Sequence, residues 1–72
     1  MKNDKHNRKL MGQRIKERRI MKQMTQEKFA EKAHLSVRHV SYIETDRKNP
    51  SFKSLRRIAQ ALDATLGYFL DD

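Results

Sequence analysis

The chain has 72 residues, enough for one small domain, and hydrophobic and charged residues each make up 36% of it. It has no cysteine, which excludes disulfides and thiolate metal sites. No apolar run approaches the ~18 residues of a membrane span, and no signal-peptide core follows the basic N-terminus. The composition therefore predicts a cytoplasmic protein with no membrane contact.

The positive charge is concentrated away from the C-terminus. Lys and Arg number 17 against nine Asp and Glu, a formal net charge of +8. Residues 1–57 hold all 17 bases and six acids, whereas residues 58–72 hold three acids and no base. A basic body of this kind attracts polyanions such as nucleic acid by steering and counterion release. The alternative is a basic protein whose charge only keeps it in solution.

The N-terminal part of the chain divides into an arm and a first helix. Residues 1–8 carry one apolar residue and are predicted to be a flexible basic arm, with the folded domain in residues 9–72. The first helix is predicted from Lys9 to about Gln23, on an apolar stripe made of Leu10, Met11, Ile15, Ile20 and Met24. The face expected to meet water carries Arg14, Lys16, Arg18 and Lys22. Gly12 lies within the stripe and indicates close approach of another backbone.

Two short helices follow, each with a predicted capping residue. Thr25 caps a helix from Gln26 to Ala33, whose buried face is formed by Phe29, Ala30 and Ala33. Ser36 caps a helix that reaches Glu44 or Thr45. Only His34 and Leu35 connect the two helices, and a link this short favours a steep crossing, as in a helix-turn-helix.

The rest of the chain is predicted to form a loop and two further helices. Residues 45–50 are rich in turn residues. Ser51 caps a fourth helix, whose apolar face consists of Phe52, Leu55, Ile58, Ala59 and Leu62. A last short helix is built on Leu66, Phe69 and Leu70. Because no segment alternates with period two, the predicted fold class is all-α, with five short helices around one core.

The outer face of the third helix is unusual for a surface helix. Val40 and Ile43 are spaced to anchor the helix on the core, and Leu35 fills the turn before it. The residues left outside are Ser36, Val37, Arg38, Ser41 and Tyr42, rather than the Lys and Glu of a solvated face. The major groove of DNA admits one helix, and Arg can read guanine there with two hydrogen bonds. This face is therefore interpreted as suited to desolvation against bases.

These motifs resemble one known family. TQEKFAEKAHLSVRHVSYIE is similar to the helix-turn-helix of the Cro/lambda-repressor family, the XRE-type regulators, and NPSFKSLRRIAQAL resembles the fourth helix of that family. The resemblance covers about Met11 to Leu70 and implies a five-helix lambda-repressor-like DNA-binding domain, with the helix-turn-helix at about residues 26–44. It implies a transcriptional regulator without enzymatic activity, most simply a repressor, that binds an inverted repeat in double-stranded DNA as a homodimer.

The residues and the resemblance together assign individual roles. The base contacts are expected from Ser36, Val37, Arg38, Ser41 and Tyr42. Phosphate contacts are expected from Thr25, Gln26, His39, Thr45, Arg47, Lys48 and Lys53. Arg19 and Glu44 match positions that form an internal ion pair in some members of the family. Two residues depart from the pattern, because His34 in the turn and Asp46 after the third helix stand where the family often has Gly.

Some alternatives remain open at this level. The chain could be an antitoxin that binds a toxin protein, a restriction–modification controller, or a protein- or RNA-binding module, although no aromatic platform of the RNA-binding type is visible. Residues 66–72 are expected to form a dimer contact, or else only to close the core. The three histidines, His6, His34 and His39, have no acid or cysteine at ligand spacing, so neither a metal site nor a cofactor is expected.

Overall fold

Five α-helices and no strand make up the described part of the chain, residues 10–70 of this computed structural model. The helices are α1 (Met11–Met21), α2 (Gln26–Ala33), α3 (Val37–Glu44), α4 (Phe52–Ala61) and α5 (Leu66–Leu70). The predicted all-α, five-helix fold is confirmed. The predicted basic arm, residues 1–8, lies outside the described residues, as do residues 9, 71 and 72. None of the helices in residues 10–70 combines the length and the apolar character that a bilayer crossing requires.

The starts of three helices are fixed by side-chain caps, as the sequence predicts. In each case a hydroxyl oxygen accepts a 3.0 Å hydrogen bond from the backbone N–H three residues later: Thr25 from Lys28, Ser36 from His39, and Ser51 from Ser54. Each cap satisfies one of the N–H groups that a helix start leaves without an intrahelical partner. These three bonds therefore fix the residues at which α2, α3 and α4 begin.

The ends of the first four helices share one backbone motif. Each is followed by a non-glycine residue in the left-handed region, with φ between 57° and 61°: Gln23, His34, Asp46 and Asp63. The next residue then donates its N–H to the carbonyl five positions back, at 2.9–3.1 Å. This closure satisfies carbonyls at the helix end. His34 and Asp46, which stand where the family often has Gly, both adopt this left-handed conformation.

The core lies between the helices, with α2 packed on α3 and α4, and α1 packed on α3 and α5. Its buried apolar side chains are Ile15, Phe29, Ala30, Ala33, Val40, Ile43, Leu55, Ile58, Ala59, Leu62 and Phe69. Most of the predicted core residues are among them, and Leu35 packs against this cluster from the turn.

Three predicted core residues are exposed instead. Ile20 is 55% exposed because the inner face of α1 continues from Ile15 to Arg18 and Arg19, three and four residues on. Leu10 is 56% exposed at the N-cap position of α1, before the helix turns its side chains to the core. Phe52 is 65% exposed because the buried stripe of α4 begins one turn after it.

Gly12 makes the close backbone approach that its position predicts. A Cβ atom at this residue would collide with the carbonyl oxygen of Ile43 and would lie only 2.7 Å from Oδ1 of Asp46. The N-terminal turn of α1 thus sits directly against the C-terminal end of α3. No other residue type fits here without displacing one of the two segments.

Candidate nucleic-acid interface

The helix α3 is attached to the core on one side and exposed on the other. Val40, Ile43 and Glu44 are buried, whereas Val37 is 38% exposed at the first turn. The remaining outer residues are exposed or half-buried. An open depression on this side is lined by Ser36, Arg38, His39, Tyr42 and Lys48. The structure therefore brings residues expected at bases and residues expected at phosphates onto one surface.

The ring of Tyr42 joins the outer face of α3 to the loop that follows it. The guanidinium carbons of Arg38 and Arg47 each lie 5.9 Å from the centroid of this ring. The carbonyl oxygen of Tyr42 also accepts from the backbone N–H groups of Arg47, at 2.9 Å, and Lys48, at 3.3 Å. A guanidinium near an aromatic face is attracted by the ring quadrupole. Tyr42 therefore contacts Arg38, which is expected to read bases, and Arg47, which is expected to bind phosphate.

Behind this surface, a buried ion pair ties three helices together. Arg19 Nε lies 2.7 Å from Glu44 Oε2, and Arg19 Nη2 lies 3.1 Å from Glu44 Oε1. The side chains of Arg19 and Glu44 are 11% and 2% exposed. Gln26 Nε2 donates to the same carboxylate at 3.0 Å, and Arg19 Nη1 donates to the carbonyl of Met24 at 2.8 Å. The fork-to-carboxylate pair thus fixes the end of α3 relative to α1 and to the start of α2.

The hydroxyl groups expected to contact DNA differ in whether they can still donate a hydrogen bond. Ser36 and Thr25 use their oxygens as acceptors in the caps, so their hydroxyl hydrogens can still be donated to an anion. The hydroxyl of Thr45 instead donates to the carbonyl of Ser41 at 2.9 Å, with a longer contact of 3.3 Å to that of Tyr42. In this arrangement the Thr45 hydroxyl can only accept hydrogen bonds. A phosphate oxygen is also an acceptor, so the two groups do not form a hydrogen bond.

The other residues expected at phosphates differ in their exposure. Arg47, Lys48 and Lys53 are exposed, with Lys53 in the first turn of α4, and His39 is half-buried. His34 is exposed in the turn between α2 and α3. Among residues 10–70, no three His, Cys, Asp or Glu side chains are grouped closely enough to hold a metal ion.

The surroundings of Arg18 differ from those that the sequence pattern predicts. Arg18 was expected in water, but Nε donates to the carbonyl of Leu62 at 3.0 Å and Nη2 donates to that of Asp63 at 2.8 Å. Its guanidinium also lies 5.3 Å from the ring centroid of Tyr68. Arg18 lies three residues after the buried Ile15, and this helical spacing indicates that both lie on the inner face of α1. Arg18 thereby caps the end of α4 and fastens the connection to α5.

The C-terminal helix both closes the core and leaves apolar surface exposed. Phe69 is buried, and Leu66 packs against the core cluster. On the other side, Leu70 is 52% and Tyr68 is 38% exposed, along an open groove that they line with Thr65 and Gly67. The alternative in which this segment only closes the core accounts for Phe69 and Leu66, and it leaves the outer residues unexplained.

Similarities to known proteins, in sequence and in structure, agree with this geometry. The sequence profile of the family described as "Helix-turn-helix" matches residues 15–69. The immunity repressor protein of Bacillus phage phi105 is 48% identical over 52 residues, which are 72% of this chain and 36% of that protein. The chain thus spans about a third of the length of this curated relative.

Two solved structures share the fold over most of both chains. The restriction–modification controller protein C.AhdI from Aeromonas hydrophila superposes with a TM-score of 0.80 at 30% identity, covering 82% of this chain and 89% of that one. The P22 c2 repressor, solved in complex with a synthetic operator, superposes with a TM-score of 0.84 at 26% identity, covering 89% and 97%. The chain therefore belongs to the XRE-type helix-turn-helix family, whose Cro/lambda-repressor pattern its sequence carries.

Proposed function

We propose that this chain is a sequence-specific DNA-binding transcriptional regulator, a cytoplasmic repressor that acts by covering its operator. The observation that carries this proposal is the surface on which the outer face of α3 and the cationic loop after it lie side by side. The similarity to a phage immunity repressor, and to a repressor solved on a synthetic operator, supports the same assignment.

The division of labour follows from the chemistry of each side chain. Arg38 is exposed on α3 and offers a planar fork that fits the O6 and N7 acceptors of guanine, while Val37 offers an apolar contact to a thymine methyl. Arg47 and Lys48 lie in the following loop, where their charges meet phosphates and set the register without reading sequence. Ser41 is half-buried beside Tyr42 and supplies a hydroxyl to either class of contact.

A homodimer on an inverted repeat fits the C-terminal helix. Tyr68 and Leu70 leave apolar surface exposed there, and residues 58–72 carry three acids and no base. An acidic, apolar end is repelled by DNA and suits a contact between two copies. Two copies then place their α3 helices in successive major grooves about 34 Å apart. The likeness to C.AhdI favours a second candidate function, a restriction–modification controller that regulates by the same DNA contacts.

Selection of binding sites from random duplex DNA tests the proposal. We expect an enriched sequence with two inverted half-sites whose centres lie about 10 base pairs apart. At physiological salt the selected duplex should bind at least about 1,000-fold more tightly than a scrambled duplex, and the affinity for both should fall with rising salt. Equal affinity for the selected and the scrambled duplex would contradict the proposal.

The role of Tyr42 can be separated into its ring and its hydroxyl. Tyr42→Leu removes the ring that lies near both guanidiniums, so we expect about five-fold weaker binding of the selected duplex, equivalent to about 1 kcal/mol. Tyr42→Phe keeps the ring and should bind within about two-fold of the parent chain. Fluorescence anisotropy titrations measure both. If the Phe variant is as weak as the Leu variant, the hydroxyl contacts DNA and the ring has no part in ordering the arginines.

A further inference from the structure

Asp46 links the loop that follows α3 to the first turn of α1. It is the first residue after the C-cap of α3, with φ 61°, and it is half-buried. Its Oδ1 accepts a 2.9 Å hydrogen bond from the backbone N–H of Gly12, 34 positions earlier in the chain. Gly12 lies in the first turn of α1, where N–H groups have no partner within the helix. Asp46 therefore caps α1 from a distant part of the sequence.

The fit between the two residues is close. A side chain at position 12 would lie 2.7 Å from the Asp46 carboxylate oxygen. At position 46, glycine would adopt the left-handed conformation without strain, whereas aspartate adopts it at a cost and brings an acceptor in return. The backbone conformation alone thus gives no reason for a carboxylate at this position, and the hydrogen bond to Gly12 does.

The position of Asp46 in the chain determines what this bond holds in place. Arg47 and Lys48 follow immediately, and their N–H groups bond to the carbonyl of Tyr42. The start of the loop is therefore fixed twice, to α3 through the carbonyl of Tyr42 and to α1 through Asp46. Binding costs less free energy when the groups that contact a ligand are already ordered.

We propose that Asp46 is a positioning residue for DNA binding: it clamps the loop after α3 to the first turn of α1, so that Arg47 and Lys48 are in place before DNA arrives. The proposal rests on the proposed function, because it concerns the phosphate contacts of that same surface. Since phosphate contacts carry no base preference, loss of the clamp changes affinity for all duplexes by the same factor.

Two substitutions separate the clamp from the charge. Asp46→Gly and Asp46→Asn both remove one negative charge near the DNA surface, which by itself strengthens binding. Only Asn keeps an acceptor oxygen for the N–H of Gly12, and Asn also tolerates the left-handed conformation. We therefore expect the Asn variant to bind at least as tightly as the parent chain. The Gly variant should bind about five-fold more weakly than the Asn variant, equally on the selected and the scrambled duplex. Its salt dependence should match that of the Asn variant, because the same phosphate contacts form at a greater ordering cost.

A second measurement follows the clamp in the absence of DNA. Amide hydrogen exchange by NMR should show the N–H of Gly12 protected in the parent chain and the Asn variant, and exchanging at least about ten-fold faster in the Gly variant. Equal affinities of the Gly and Asn variants, or unchanged exchange at Gly12 in the Gly variant, overturn the positioning role while leaving the proposed function intact. Failure of the parent chain to prefer the selected duplex overturns the proposed function, and the positioning role with it.

Discussion

Glu44→Ala is expected to destabilise the fold by about 3–5 kcal/mol, because it removes one partner of a buried ion pair. The substitution leaves the guanidinium of Arg19, which is 11% exposed, without its carboxylate, and it deprives the amide of Gln26 of its acceptor. A domain of this size has a free energy of unfolding of only about 4–11 kcal/mol. We therefore expect the melting temperature to fall by at least about 12 °C. Thermal and urea unfolding followed by circular dichroism measure the change.

The matched control is an ion pair on the surface. Lys28 and Glu31 approach to 3.8 Å, but their side chains are 58% and 75% exposed. Glu31→Ala should change the free energy of unfolding by less than about 1 kcal/mol, since exposed pairs contribute little. A double variant, Arg19→Met with Glu44→Leu, leaves no unpaired charge and should be more stable than Glu44→Ala, although the Gln26 amide still lacks its acceptor. If Glu44→Ala proves as mild as Glu31→Ala, the buried pair does not hold α1, α2 and α3 together.

The helices could be predicted because their signals are local. Thr25, Ser36 and Ser51 act as caps through hydrogen bonds that span three residues, which the sequence alone reveals. The outer face of α3 was predictable for a related reason: the spacing of Val40 and Ile43 defines which side is buried, and hence which side is exposed. In both cases the determining contacts lie within one or two turns of the chain.

The errors arise where a distant segment decides the environment. Arg18 was expected in water, but the end of α4, 44 and 45 residues away, supplies carbonyl acceptors for its guanidinium. Ile20 was expected in the core because it is apolar, but the inner face of α1 passes through Arg18 and Arg19. Composition alone does not show that a long polar side chain can cover apolar surface and satisfy backbone groups. The helical period itself places Arg18 and Arg19, three and four residues after Ile15, on the inner face of the helix.

Asp46 illustrates the same limit at the interface itself. The sequence shows only that a non-glycine residue occupies a position where glycine is common in the family. That observation points to backbone strain at Asp46, and it gives no role for the carboxylate. The hydrogen bond to Gly12 becomes visible only when α1 and the end of α3 are placed together. The approach of Arg38 and Arg47 to one ring is similar: the spacing from Arg38 to Tyr42 is that of helical neighbours, but the path of the loop decides where Arg47 lies.

Arg38→Ala is expected to lower the affinity for the selected duplex by about 1–3 kcal/mol, a factor of roughly 5–150. Arg38 is exposed on α3, and the fork of its guanidinium can meet both major-groove acceptors of one guanine. Loss of that contact should relax the preference at one base position in each half-site and leave the other positions unchanged. Repeating the site selection with the variant, and titrating a panel of duplexes with single-base changes, shows where the preference is lost.

Two variants distinguish base reading from charge. Arg38→Lys keeps the positive charge but loses the planar fork, so it should lose most of the preference at the same base position while binding scrambled DNA like the parent chain. Lys48→Ala removes a charge from the loop beside α3, and it should weaken all duplexes by a similar factor and reduce the salt slope by about 1. If Arg38→Ala and Lys48→Ala change every duplex alike, Arg38 contacts phosphate, and sequence must be read by other residues of α3.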